Sequence, residues 1–74
     1  MDWKGRIVED RAIRSGQPCV QGTRITVSDI LENLAAGMSE DEILAEFPSL
    51  QREDIRACLF HAAERERREL NPVS

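Results

Sequence analysis

Apolar residues in this chain fall into three stretches of helical period, preceded by shorter runs broken by turn residues. Val27, Ile30, Leu31 and Leu34 stand at i, i+3, i+4 and i+7, which predicts a helix of about ten residues with one core-facing stripe. Ala35 and Ala36 let a neighbour approach closely, and Gly37 is the expected stop. Two start signals follow at once. Ser39 and Glu42 form a capping box and Met38 against Ile43 a hydrophobic staple, so a short helix is predicted over 40–46. Glu40, Asp41 and Glu42 suit the positive end of its dipole. Phe47-Pro48 closes it, because the residue before a proline is pushed out of the helical region. Ile55, Cys58, Leu59 and Ala62 repeat the stripe and predict a third helix from about residue 52 to 69. Glu64-Arg65-Glu66-Arg67-Arg68-Glu69 carries that helix past its core-facing part, and Asn71-Pro72 is the predicted stop.

Ahead of the helices, Ile7-Val8 reads as a short strand after a leader that contains Trp3, expected to pack back onto the domain or to sit in an interface. The stretch from Gly16 to Val27 turns this β element into the first helix. Gly16 and Gly22 suit turns, and Pro18 fits the start or edge of a short strand through Cys19 and Val20. Gly22-Thr23 then reverses the chain, and Arg24-Ile25-Thr26 is expected to run back as a second strand. Thr26 is placed to cap the first helix, with Asp29 three residues on.

Seventy-four residues make a single domain, 1–74, with a β element over about 6–26 and a three-helix bundle over about 27–69. The expected class is mainly α: a homeodomain-like three-helix bundle, compatible with a helix-turn-helix, behind a short N-terminal β-hairpin. A chain this short buries only about 60% of its extended surface, so a second copy or a partner is a natural source of further burial. Ten basic residues against fourteen acidic ones give a net charge of −4, which excludes a generic nucleic-acid-coating protein but allows a local basic face. Lys4, Arg6, Arg11, Arg14 and Arg24 make the first third locally basic. The sequence carries no apolar run of membrane-spanning length and no signal peptide, and Cys19 and Cys58 read as reduced thiols, so a cytoplasmic protein is expected.

The series Gly16-x-Pro18-x-x-x-Gly22-Thr23-Arg24-Ile25-x-Val27 resembles the signature of a bacterial and archaeal family known as domain-of-unknown-function family 433. The resemblance continues through Ile30-Leu31, Leu34, Gly37, Ser39, Glu42-Ile43-Leu44, Phe47-Pro48-x-Leu50 and Glu53-Asp54-Ile55, covering about residues 7 to 63. It implies a homeodomain-like trihelical domain and an antitoxin-like, VapB-type protein, partnered with a PIN-like nuclease toxin and autorepressing its operon. Structural roles fall to Gly16, Pro18, Gly22, Thr23, Thr26, Gly37, Ser39, Glu42 and Pro48. The chain departs from the family at Gln51, where threonine or serine would cap the third helix; Ser49 is the candidate substitute.

Candidate nucleic-acid contacts are Arg52 and Arg56, at the N-terminal end of the third helix where a recognition helix touches phosphates or guanine edges, and Arg24. Glu53 and Asp54 beside them oppose phosphate. Arg24 has a structural alternative, pairing with Asp29 or Glu32 to pin the β element to the first helix. Phe60 lies off the core stripe, which points either to a contact with a second copy or a toxin, or to cover by the N-terminal element. Arg65, Arg67 and Arg68 are candidates to block a carboxylate-rich, Mg²⁺-binding nuclease site, a role implied by the family resemblance. His61 reads as a surface histidine and Cys58 as a small core hydrophobe. No metal site, cofactor, small-molecule substrate or catalytic constellation is expected, and the protein is read as a non-enzyme and a homodimer. Two other functions stay open: a stand-alone DNA-binding regulator, and a protein-interaction domain without DNA binding.

Overall fold

Pro18 organises the N-terminal third of the structure, a computed structural model describing residues 2–70, with side chains through residue 69. With no N–H of its own, Pro18 opens a strand and offers only its carbonyl, which accepts the Val27 N–H at 2.9 Å. The strand is β2 (Cys19–Val20), and it pairs antiparallel with β1 (Ile7–Val8), Ile7 opposite Val20 and Val8 opposite Cys19. On the other edge of β2 the Val20 N–H donates to the Ile25 carbonyl at 2.9 Å, and Cys19 bridges Thr26. Arg24–Thr26 therefore does not form the second strand expected of it. It makes a single bridge, because Thr26 already belongs to the helix that follows.

The turn between has a side-chain device. Gly22 takes φ 81°, a conformation that strains any residue with a Cβ. The Thr23 hydroxyl donates to the Val20 carbonyl at 2.8 Å and accepts the Ile25 N–H at 3.0 Å. Upstream, Arg14 and Ser15 both hold positive φ (51° and 59°) in a 3-10 turn over Arg14–Gly16.

Three helices follow: α1 (Val27–Ala35), α2 (Glu40–Glu46) and α3 (Arg52–Leu70). The capping boxes are formed. Thr26 accepts the Asp29 N–H at 2.9 Å while Asp29 accepts the Thr26 N–H at 3.0 Å, and Ser39 exchanges the same pair with Glu42. At the end of α1, Gly37 (φ 98°) allows its N–H to reach the Leu34 carbonyl and the Met38 N–H to reach that of Asn33. These are the two bonds of a Schellman stop. The predicted stop of α3 at Asn71-Pro72 lies outside the described residues.

Gln51 does not cap α3 with its side chain, and Ser49 does not replace it. The carboxylate three residues on does the work: Asp54 accepts the Gln51 N–H at 2.8 Å through one oxygen and Arg6 at 2.9 Å through the other. Asp54 is buried, facing inward.

Val20, Val27, Ile30, Ile43, Leu50, Ile55 and Cys58 make one buried cluster, drawn from the β element and all three helices. Leu31 and Leu34 are half-buried against it. The stripe predicted for α3 is off by one position. Leu59 is 43% exposed, while Asp54 and Ala57 share the inner face with Ile55 and Cys58. Among the described residues, no helix is long and apolar enough to cross a membrane.

Candidate functional site

Because α3 is longer than the bundle it packs on, much of it has no intramolecular task. Cys58 is its last buried residue among those described; His61, Ala62 and Glu64 are half-buried, and Arg65 through Glu69 are exposed. Its outer face carries Leu59 and Phe60, the two large hydrophobic residues left exposed among the described residues, at 43% and 51%. With Arg56, Ala63 and Glu40 from the start of α2 they line an open depression of about 450 Å³. The two side chains adjoin and form one small apolar patch rather than two scattered exposures.

The leader covers one flank of that face. Trp3 stacks on Phe60 with ring centroids 6.3 Å apart and planes 13° from parallel, and meets His61 edge-on at 6.1 Å. Trp3 thus packs back onto α3, and the cover over Phe60 comes from the leader rather than from the strands. Lys4 adds an ion pair to Glu64 at 3.9 Å.

The arginines named by sequence have separate fates. Arg52 is clamped by two carboxylates at the N-terminus of α2, Asp41 and Glu40, the latter at 2.8 Å. Hydrogen bonds to Asp41 and then Glu40 raise its pKa further, so its charge is permanent but locally matched. Arg56 is exposed beside Leu59 and Phe60. Arg24 is exposed and does not make the expected contact with Asp29. Arg14 makes it, reaching Asp29 at 3.5 Å and the Arg24 carbonyl at 2.9 Å. The positive φ at Arg14 helps bring its side chain across, a feature that sequence spacing does not reveal. Arg65, Arg67 and Arg68 lie on the exposed distal part of α3, with Arg68 held to Glu64 at 2.6 Å. Arg65 and Arg68 share a groove of about 440 Å³ with Trp3, Lys4 and His61. Arg67 lies nearer the Phe60 face, since residues seven apart on a helix are almost in line.

Cys58 is fully buried, and burial, with Asp54 adding, pushes its thiol up to about 12. Its ordinary value is 9.0, so on unfolding the thiol releases a proton that the native state retains. Stability should fall as pH rises from about 9 toward 12, by up to about 1.4 kcal/mol per pH unit from this group. Urea titrations of wild type and Cys58→Ala across that range should differ by this slope; parallel curves would refute it.

Among the described residues, no group of three His, Cys, Asp or Glu is placed to hold a metal ion, and no buried side-chain nitrogen or oxygen lacks a partner. What the surface offers chemically is an apolar patch ringed by charge, together with a distal stretch of α3 in which Arg65, Arg67 and Arg68 alternate with Glu64, Glu66 and Glu69.

Residues 7–62 match the model of a family described as a protein of unknown function, DUF433. Over 61 residues the chain is 39% identical to the uncharacterized protein y4eO of Sinorhizobium fredii, covering 82% of this chain and 25% of that protein. Among solved structures it resembles a DUF433 member from Anabaena variabilis, with a TM-score of 0.73 and 28% identity over 90% of this chain and 60% of that one. The chain thus spans about a quarter of the one relative and three fifths of the other.

Proposed function

The chain belongs to the DUF433 family, whose function is unknown, and we propose that it is the antitoxin-like, VapB-type component of a type II toxin–antitoxin pair. It binds and inhibits a PIN-like ribonuclease in the cytoplasm, acts as a homodimer and represses its own operon by binding operator DNA. It performs no catalysis and needs no cofactor.

The observation that best supports this reading is the exposed distal part of α3. A long helix carrying Arg65, Arg67 and Arg68 beyond the buried core is suited to enter the acidic, Mg²⁺-binding cleft of a PIN-like site, where guanidinium groups pair with carboxylates. Reversing Arg65 and Arg68 to Glu should weaken inhibition of the nuclease at least about 100-fold with the fold unchanged. Inhibition that survives the double reversal would exclude this segment.

For operator binding, our reading takes α2 and α3 as the helix-turn-helix pair, with Arg56 in the second turn of α3 and Arg24, in the turn after β2, as the phosphate contacts. Arg52 enters only if Glu40 and Asp41 release it. That clamp, together with the net charge of −4, favours a second reading in which the domain binds protein and no DNA. Gel shifts on the chain's own upstream DNA separate the two. A specific, steeply salt-dependent shift supports repression, and none with or without the nuclease supports the second reading.

A further inference from the structure

The outer face of α3 is complementary to itself when reversed. Leu59 and Phe60 stand side by side at its centre, and each is flanked at a distance of seven residues by a pair of opposite charges. Arg52 and Glu66 lie in line with Leu59, while Glu53 and Arg67 lie in line with Phe60. All four are exposed. Among the described residues, Glu53, Glu66 and Arg67 have no ion-pair partner within the chain.

We propose that this face docks a second copy of the chain, with the two α3 helices antiparallel about a two-fold axis between Leu59 and Phe60. This deepens the homodimer named above and does not depend on whether the dimer binds a nuclease or DNA. An axis at that point places Leu59 on Leu59 and Phe60 on Phe60 of the second copy, and lays the Arg56 stem over the second copy's Ala63. It also sets Glu53 against the second copy's Arg67 and Arg52 against its Glu66, each contact occurring twice by symmetry.

In a parallel pair the two rows change sides, so Glu53 would meet the second copy's Arg52 and Arg67 its Glu66; exchanging the charges at 53 and 67 together therefore leaves opposite charges facing in the antiparallel pair and like charges facing in the parallel one. Arg52 is already held by Glu40 and Asp41, so discrimination rests mainly on Glu53 and Arg67. Trp3, stacked on Phe60 from the side, extends the apolar rim without crossing the face. The second copy covers Leu59 and Phe60, which the described residues of the chain leave exposed.

Sedimentation equilibrium of the full chain tests this, with circular dichroism confirming that each variant is folded. Wild type should sediment at twice the 8.4 kDa chain mass, and Phe60→Asp as a monomer. Glu53→Arg and Arg67→Glu should each weaken the dimer roughly tenfold, and the two together should restore it to within about threefold of wild type. A wild-type monomer would overturn both the dimer and its geometry. A dimer that survives Phe60→Asp would leave the homodimer standing and overturn this interface. Failure of the double variant to restore affinity would overturn the antiparallel pairing.

Discussion

Asp54→Ala should lower the free energy of unfolding by about 3 kcal/mol, measured by urea denaturation. Two losses combine in that figure. The carboxylate holds the Gln51 N–H at 2.8 Å, so its removal leaves the first turn of α3 without a cap. It also holds Arg6 at 2.9 Å, joining the segment just before β1 to the start of α3 across forty-eight residues of sequence. Arg6 is a third exposed, so water replaces part of what it loses, and the estimate sits at the lower end for a broken buried pair. Asp54→Asn keeps the shape and one acceptor oxygen and should cost about half as much. A change below about 0.5 kcal/mol for Asp54→Ala would show that the β element and α3 are held together by apolar contact alone.

Ile43→Ala should cost about 3 kcal/mol as well, and the loss should be concentrated in α2. Ile43 is fully buried and is the one such residue that α2 contributes. A helix of seven residues has no independent stability in water, so α2 persists by docking that side chain and by its capping box. Truncation leaves a cavity where α2 meets the core, and the remaining links are the half-buried Leu44 and Phe47 and the Arg52 clamp. Native-state hydrogen exchange should show the amides of 43–46 losing protection before those of α1 and α3. Uniform loss across all three helices would contradict this. A domain of this size has about 4–11 kcal/mol of stability in total, so either substitution removes a large share of it.

These two sites differ in how far the sequence announced them. Ile43 was legible because the devices around it are local: Ser39 and Glu42 cap within one turn, and the stop at Gly37 is a single-residue signal. The same holds for Thr26 with Asp29, and it explains why the start of α1 and the bounds of α2 came out as read. Asp54 was not legible as a buried residue. Its inward position depends on Arg6, whose approach is fixed by the strand pairing of Ile7 with Val20 and by no pattern around residue 54. Arg14 displaced Arg24 for the same reason, since a left-handed backbone at Arg14 directs its side chain toward α1.

The surface shows the same limit. Phe60 stood out because it left the core stripe, but Leu59 was absorbed into that stripe by its spacing from Ile55 and Cys58. On a helix two adjacent residues point 100° apart, and the neighbours of α3 turn Asp54 and Ala57 inward with Ile55 and Cys58 and leave Leu59 outside. The exposed patch is therefore a pair rather than a lone aromatic. Arg52 was correctly placed at the first turn of α3, but its two carboxylate partners come from α2, joined through a loop whose path local pattern does not give.

The proposed role as an antitoxin-like inhibitor is tested most directly by affinity capture of the tagged chain expressed from its native locus. Co-purifying chains are identified by mass, and the recovered complex is assayed for RNA cleavage with and without added wild-type chain. The expected result is one small nuclease with a carboxylate-rich site, in a stoichiometric amount, silent in the complex and active once separated from this chain. Added wild-type chain should silence it again, and the Arg65→Glu, Arg68→Glu variant should not. Recovery of the chain as a homodimer with no second protein attached would contradict the account and leave a lone regulator in its place.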